Sequence, residues 1–113
     1  MLLPTKIKIT ADSIIIGRFL PIEIFFQNID HVRLAKQYPR TMHRVYGTDF
    51  GYVKKGIYET PDGQQIRLHI FLHYPPYIEV IHKGGLLVFN SKNPDKTAEV
   101  YSKLEPLVNL KRT

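Results

Sequence analysis

The segment Tyr77–Leu104, YIEVIHKGGLLVFNSKNPDKTAEVYSKL, carries the clearest structural pattern in the chain. Its first six residues alternate in the manner of a strand, and Lys83-Gly84-Gly85 predicts a tight turn. Leu86–Asn90 is a second apolar strand, which makes the pair a hairpin. Because this hairpin leads directly into a helix, the segment predicts a sheet structure with a C-terminal helix laid across it.

The helix has recognisable start and stop signals. Asn93 is a favourable N-cap, and Pro94 suits the first helical position. Pro106 cannot donate a backbone hydrogen bond and predicts an end or a kink. We therefore predict a helix over about residues 93–105 and a basic tail, 109–113, that frays. The apolar side chains on one face of this helix are Ala98, Tyr101, Leu104 and Val108.

The residues before the hairpin show further strand patterns. In Thr5–Thr10, TKIKIT, isoleucines alternate strictly with polar residues, and turn residues follow at 11–12 and again at 61–63. The other predicted strands are Ser13–Gly17, Phe19–Phe26, Asp30–Ala35, Phe50–Thr60 and Gln64–Leu72. The strands thus lie within about residues 5–90.

Two segments interrupt the strands. Gln27–Asp30 is short and polar, which predicts one tight helical turn or a bend. Lys36–Asp49 is polar and basic and contains Pro39 and Gly47, so it predicts a long loop, which can include some extended structure. A loop of this length in a compact domain is often functional or mobile.

Length and composition favour one domain that covers residues 1–113. The chain contains no cysteine, which excludes disulfides and thiolate metal sites. Its start does not have the charge pattern of a signal peptide, and its apolar runs are far shorter than a membrane-spanning helix needs. We expect a soluble, cytoplasmic protein.

The order of these patterns resembles the bacterial pleckstrin-homology-like domains. Three stretches carry the resemblance: Ile24–Val32 (IFFQNIDHV), Gly47–Gly56 (GTDFGYVKKG) and Tyr77–Leu104. Together they span about residues 7–104. The resemblance implies a mainly β fold, in which two packed antiparallel sheets form a partly open barrel closed at one end by the C-terminal helix.

The resemblance also has functional implications. Many members are fused to membrane segments, which this chain lacks, and some assemble into ring-like homo-oligomers. Eukaryotic relatives hold inositol phosphates through a basic first hairpin. Here Lys6, Lys8 and Arg18 are the only candidates and their spacing does not match, so no lipid-binding residues are carried over.

No group of residues has the pattern of a catalytic or metal site. His69 and His73 are four residues apart, but on a strand this separation is about 13 Å, too far to share an ion. The carboxylates are scattered, and Ser91 does not lie in a nucleophile elbow. We therefore predict no enzymatic activity, no metal and no cofactor.

The first candidate contact is the basic stretch 31–55, where six basic residues face Asp49 alone and give a net charge of +5. The basic residues are Arg33, Lys36, Arg40, Arg44, Lys54 and Lys55. Interleaved with aromatic residues, they could bind acidic lipid headgroups or single-stranded nucleic acid. The alternatives are a solvated loop and a contact between subunits.

The second candidate contact is Phe19–Phe26, which has apolar side chains on both faces. A half-buried strand should have a polar outer face, so Phe19 and Phe25 are candidates for contact with a partner chain. The alternative is a strand buried between the two sheets or under the long loop.

These patterns predict a non-catalytic binding or scaffold module that assembles with itself or with another protein. Contact would occur around Phe19–Phe26, with residues 33–55 as a secondary contact. The alternative function is an anion-binding module, for a membrane surface or nucleic acid, that uses the basic stretch.

Overall fold

The computed structural model describes residues 6–18, 21–39 and 43–112, which form nine strands, one 3₁₀ turn and one helix. The strands are β1 (Ile7–Ile9), β2 (Ser13–Ile16), β3 (Ile22–Phe25), β4 (Ile29–Ala35), β5 (His43–Phe50), β6 (Val53–Glu59), β7 (Gln65–Phe71), β8 (Tyr77–His82) and β9 (Gly85–Phe89). The 3₁₀ turn is Phe26–Asn28, and the helix α1 is Pro94–Arg112. The predicted mainly β fold with one C-terminal helix is confirmed. Within the described ranges, no helix is long and apolar enough to cross a membrane.

The first sheet is antiparallel, in the order β1-β2-β3. Its first turn is held by the hydroxyl of Thr10, which accepts hydrogen bonds from the backbone N–H groups of Asp12 (3.2 Å) and Ser13 (2.9 Å). This confirms the turn predicted at residues 11–12 and the strands predicted on either side of it. The 3₁₀ turn after β3 confirms the tight helical turn predicted near Gln27.

The second sheet has the order β4-β8-β9-β7-β6-β5. Its neighbours are antiparallel except β7 and β9, which run parallel. The chain passes from β7 over to β8, and the β8–β9 hairpin then returns β9 alongside β7. The parallel pair differs from the predicted pair of purely antiparallel sheets, because local patterns do not specify which strands become neighbours.

The main core lies between the first sheet, the helix and one face of the second sheet. Ile14 and Ile16 of β2 pack there with Leu87 and Phe89 of β9, and all four are essentially inaccessible to solvent. The helix packs mainly against β4 and the 3₁₀ turn. We call this side of the second sheet the inner face.

A second apolar cluster lies on the opposite face of the same sheet. Its buried members are Tyr58, Ile66, Leu68, Ile70, Tyr77 and Val88. Strands β4 and β5 are consecutive in the chain but occupy opposite edges of the sheet. In the segment after β4, Tyr38 packs edge-on against Tyr77 with 5.5 Å between ring centroids, which helps to cover this cluster.

The prediction of a loop over Lys36–Asp49 was wrong for its second half, because His43–Phe50 form strand β5. The strand is held by backbone pairing with β6 and contains a register shift between Arg44 and Tyr46. The shift and the positive φ of Gly47 break the alternation that marks a strand in sequence. The predicted strand Phe50–Thr60 is likewise divided, because Gly51 and Tyr52 turn the chain between β5 and β6.

The helix continues to Arg112, so the predicted end near residue 105 and the frayed tail were wrong. A proline inside a helix costs about 3 kcal/mol. Here Val108, two residues beyond Pro106, is fully buried in the main core, which favours continuation of the helix. The predicted start is confirmed: Asn93 Oδ1 accepts hydrogen bonds from the N–H groups of Asp95 (2.9 Å) and Lys96 (3.3 Å).

Candidate functional site

The candidate site is a groove between β3 and the far half of the inner face, which is formed by β7, β6 and β5. It consists of two adjoining cavities of about 200 and 610 Å³ that share Ile22 and Arg67. The smaller cavity is lined by Ile22, Glu23 and Ile24 together. Since consecutive strand residues point to opposite faces, this cavity follows the outer edge of β3.

The strand register explains why basic side chains line the groove. Arg67 is paired with Leu87 and His69 with Phe89, so both basic residues lie on the face that carries the main core. The core strands and the helix cover this face at β4, β8 and β9. On β7 the same face carries Arg67 and His69, whereas Phe71, the next residue on that face, is buried.

Lys55 completes a basic cluster on this face, because it is the cross-strand partner of His69. Its ammonium lies 5.9 Å from the centroid of the Phe71 ring, an arrangement favourable for a cation–π contact. Burial, and secondly the positive charge of Arg18, lowers the pKa of Lys55. We call Lys55, Arg67 and His69 the basic triad.

Burial is also the largest cause of the lowered pKa values of the two histidines of the groove. Burial, followed by the charge of Lys55, lowers the pKa of His69 to about 4. Burial and then the charge of Arg67 lower the pKa of His82, and Asp30 opposes them. Both imidazoles are therefore predominantly neutral at pH 7, and each can act as a hydrogen-bond donor or acceptor.

No carboxylate is among the described residues that line the larger cavity. Glu23 lies at the smaller cavity, where one of its carboxylate oxygens accepts a 2.7 Å hydrogen bond from the hydroxyl of Ser13. Within the described part of the chain, no three His, Cys, Asp or Glu side chains are placed to hold a metal ion. The chemistry that the groove can supply is attraction and hydrogen bonding to an anion.

Of the six basic residues of the 33–55 stretch, the five that the structure describes do not gather at one place. Arg33 binds Glu79, with its Nε and Nη2 atoms 2.6 and 2.5 Å from Oε1. The groups of Arg44 and Lys54 lie 3.6 and 3.3 Å from the carboxylate of Asp49. Lys36 is exposed, Arg40 lies outside the described residues, and Lys55 lines the groove.

Phe19 also lies outside the described residues, but the rest of the predicted apolar contact is visible. Ile24 is buried in the main core, whereas 44% of the Phe25 surface is exposed. The interpretation as a buried strand therefore fits Ile24, and the interpretation as a partner contact fits Phe25, although both residues lie on β3. Its inward side chain fills the core, and Phe25 is available for contact.

The sequence prediction missed Arg67 as a site residue, although a signal was present. In Gln65–Phe71 the apolar residues Ile66, Leu68 and Ile70 alternate with Arg67 and His69. The alternation places both basic residues on one face of the strand. That Lys55 joins them depends on the pairing of β6 with β7, which the pattern does not reveal.

The shifted pKa of His69 predicts destabilisation in acid. The pKa of His69 is about 4 in the folded protein and about 6.5 in an unfolded chain. Since the unfolded chain binds the proton more readily, the free energy of unfolding should fall as the pH drops from about 6.5 to about 4. The loss should reach at most about 3 kcal/mol. Urea denaturation at several pH values measures it.

A His69→Gln variant isolates this contribution, because glutamine does not titrate. The difference between variant and wild type should depend on pH within this window, while His43→Gln, on exposed β5, serves as the matched control. His82 contributes in the same direction and remains in both variants. Parallel pH profiles for wild type and His69→Gln would contradict the prediction.

Fold and groove together define a mainly β domain with a basic groove beside β5, the strand at one edge of the six-stranded sheet. A scan of family models, a search of curated proteins and a search of solved structures each found no match.

Proposed function

We propose that this chain is a non-catalytic binding and scaffold module that assembles with itself, and that β5 is its principal contact. The observation that supports the proposal is the position of β5 in its sheet. The strand lies at the edge of the six-stranded sheet, and β6 is its only strand partner among the described residues. An edge strand presents unpaired backbone groups that can pair with another chain.

The side chains of β5 add apolar surface to this edge. Residues 43–49 are all exposed, with 57% of the Val45 surface and 70% of the Tyr46 surface accessible. Natural edge strands are usually protected by charge, proline, short length, a β-bulge or a covering element. Two of these are present in β5, which has charged residues and a register shift, but neither removes its exposed apolar side chains. With eight residues and two large exposed apolar side chains, β5 is a suitable contact for a second copy.

The charges around β5 are compatible with contact between identical subunits. Arg44 and Lys54 both lie beside the carboxylate of Asp49, which balances one of their two positive charges within the subunit. Two copies related by a two-fold axis would bring the same strand together, which is the commonest symmetry of soluble oligomers. The basic stretch thus supports the subunit-contact interpretation more than a continuous anion surface.

The proposal is tested by measuring mass in solution with light scattering over a range of concentrations. The wild type is expected to form a dimer or larger assembly, and Val45→Lys should shift it to the monomer because it places two like charges at a two-fold contact. Since Val45 is exposed, this variant should keep its fold. A wild type that remains monomeric at the highest concentration would overturn the proposal.

Phe25→Lys distinguishes β5 from the other predicted contact. Phe25 lies on β3 in the first sheet and is also exposed. If β5 is the principal contact, Phe25→Lys should leave the mass unchanged or weaken assembly less than Val45→Lys. Dissociation by Phe25→Lys alone would move the contact to β3.

The alternative function, anion binding, is favoured by a different observation. Of the six basic residues predicted for it, only Lys55 lies in the described lining of the groove. An anion-binding role is therefore better placed in the groove than on the whole 33–55 stretch. The relation to pleckstrin-homology-like domains and the cytoplasmic location stay predictions.

A further inference from the structure

We propose that the larger cavity of the groove binds a small organic phosphate. The basic triad of Lys55, Arg67 and His69 holds the phosphate group, and Tyr46, Ile22 and Ile57 contact the organic body. This site adjoins the assembly contact, because Tyr46, Gly47 and Thr48 of β5 line the cavity.

The positions of the triad suit a single anion. Lys55 and His69 are directly opposite each other on neighbouring antiparallel strands, which separates their Cβ atoms by about 5 Å. Arg67 is two residues from His69 on the same face, about 7 Å along the strand. Three long or ring-bearing side chains at this spacing can reach one group the size of a phosphate.

The electrostatics of the cavity also favour an anion. Lys55 and Arg67 are positively charged, and the described lining contains no carboxylate to balance them. Burial and then neighbouring positive charge lower the pKa of both Lys55 and His69, so additional positive charge in the cavity is disfavoured. A bound dianion would compensate these charges within the cavity.

Phosphate fits this arrangement better than a single carboxylate. It carries up to two charges and enough oxygen atoms to accept hydrogen bonds from a guanidinium, an ammonium and an imidazole at once. Thr48, paired with Lys55 across β5 and β6, adds a hydroxyl to the lining.

The remaining space suits an organic body attached to the phosphate. A cavity of about 610 Å³ is within the usual range for small-molecule sites, and it is larger than a phosphate ion alone requires. Ile22 and Ile57 supply apolar surface, and the exposed ring of Tyr46 can stack on a planar group. These features distinguish an organic phosphate from an inorganic ion.

Titration calorimetry tests the site with three probes: adenosine monophosphate, inorganic phosphate and succinate. Adenosine monophosphate should bind most tightly and inorganic phosphate more weakly. The affinity for succinate should be lower than that for the nucleotide by about tenfold or more. If neither phosphate at about 10 mM produces a heat of binding or a change in the nuclear magnetic resonance spectrum, the proposal is overturned. Binding of succinate as tight as that of the nucleotide would overturn the preference for phosphate.

Nuclear magnetic resonance of the histidine rings provides a readout specific to this cavity. A phosphate beside His69 favours the protonated imidazole, so saturation with the nucleotide should raise the pKa of His69 by about one unit or more. The exposed His31, on β4 and outside the described lining of the groove, is the internal control. Binding without any change at His69 would show that the ligand occupies another place.

Lys55→Gln and Lys54→Gln form a matched pair, because the two residues are adjacent and both changes remove one positive charge. Lys55 lies in the groove, whereas Lys54 pairs with Ile70 on the opposite face of the sheet. Lys55→Gln and Arg67→Gln should each weaken nucleotide binding by about tenfold or more, and Lys54→Gln should not. If the two lysine variants lose the same amount of nucleotide affinity, the loss reflects the net charge of the protein and the proposed site is overturned.

Two further arms complete the test. Thermal melting establishes that each variant is folded, and if Lys55→Gln does not fold, the comparison of Arg67→Gln with Lys54→Gln decides. Vesicles of phosphatidylcholine with and without a phosphorylated lipid distinguish a membrane source from a soluble one: binding to the phosphorylated vesicles but not to the nucleotide would place the phosphate on a lipid headgroup. Val45→Lys should retain nucleotide binding, because Val45 does not line the cavity.

Discussion

Replacement of Asn90 by leucine is expected to lower the free energy of unfolding by about 3–5 kcal/mol. Asn90 directly follows β9 and is completely buried. Its Oδ1 accepts a 2.7 Å hydrogen bond from the N–H of Phe71, and its Nδ2 donates to the carbonyls of Phe71 and Tyr74, both at 3.0 Å. The side-chain amide thus continues the hydrogen bonding of β9 with β7 beyond the end of the strand.

The large effect follows from the partners that leucine leaves behind. Leucine is similar in size but offers neither a donor nor an acceptor, so three backbone groups lose their hydrogen bonds. A buried polar group without a partner costs about 1–3 kcal/mol. The cost should be below the full sum because the end of β7 can relax toward solvent.

Urea denaturation of Asn90→Leu measures this loss, with Asn109→Leu as the control. Asn109 is exposed on the helix, where its amide donates to Glu105. Asn109→Leu should change stability by no more than about 0.5 kcal/mol. A loss below about 1 kcal/mol for Asn90→Leu would show that the amide is not the main link between the two strand ends.

The second large effect is expected at Gly47, where alanine should cost about 2–4 kcal/mol. Gly47 and Gly56 are cross-strand partners on β5 and β6, next to the register shift of β5. A Cβ atom on Gly47 would lie 2.2 Å from the carbonyl oxygen of Lys55 and 2.4 Å from the Cα of Gly56. Both obstacles are backbone atoms, so the strands themselves would have to separate.

The backbone conformation of Gly47 adds to this cost. Its φ of 120° is one that residues with a Cβ rarely adopt. Gly63, in the turn between β6 and β7, is the natural control, because it also has positive φ (89°) but no atom within 4 Å of an added Cβ. Gly63→Ala should cost only about 1 kcal/mol, so equal losses at both glycines would show that the close strand approach contributes little.

Both substitutions also bear on the groove. Gly47 and Gly56 line its larger cavity, and Asn90 secures the end of β7, the strand that carries Arg67 and His69. A change that separates β5 from β6 would also displace Lys55 relative to His69. Stability and geometry of the basic triad are therefore linked through the same strand pairing.

Several elements could be predicted because their information is local. The alternation in Tyr77–His82 and Gln65–Phe71, the turn at 61–63 and the N-cap at Asn93 each involve neighbouring residues only. All four are present in the structure. Periodicity and capping depend on backbone geometry over a few residues, so a single sequence is enough to recognise them.

The site was only partly predictable, because it depends on contacts between residues that are distant in the sequence. Lys55 was identified through the charge of its segment, and His69 was considered as a metal ligand, but Arg67 was not connected with either. The three residues come together through the pairing of β6 with β7. Arg33, in contrast, was predicted as an anion contact but is engaged with Glu79, a residue forty-six positions away.

The sequence by itself determined the mainly β class, the hairpin of Tyr77–Phe89 and the start of the helix that follows it. Only the tertiary structure decided that His43–Phe50 is a strand, that β4 and β5 occupy opposite edges, and that the helix continues past Pro106. These outcomes depend on contacts between distant residues, such as the burial of Val108 in the main core. Local propensity specifies an element, but the neighbours that it acquires on folding decide where it ends and which side chains form a site.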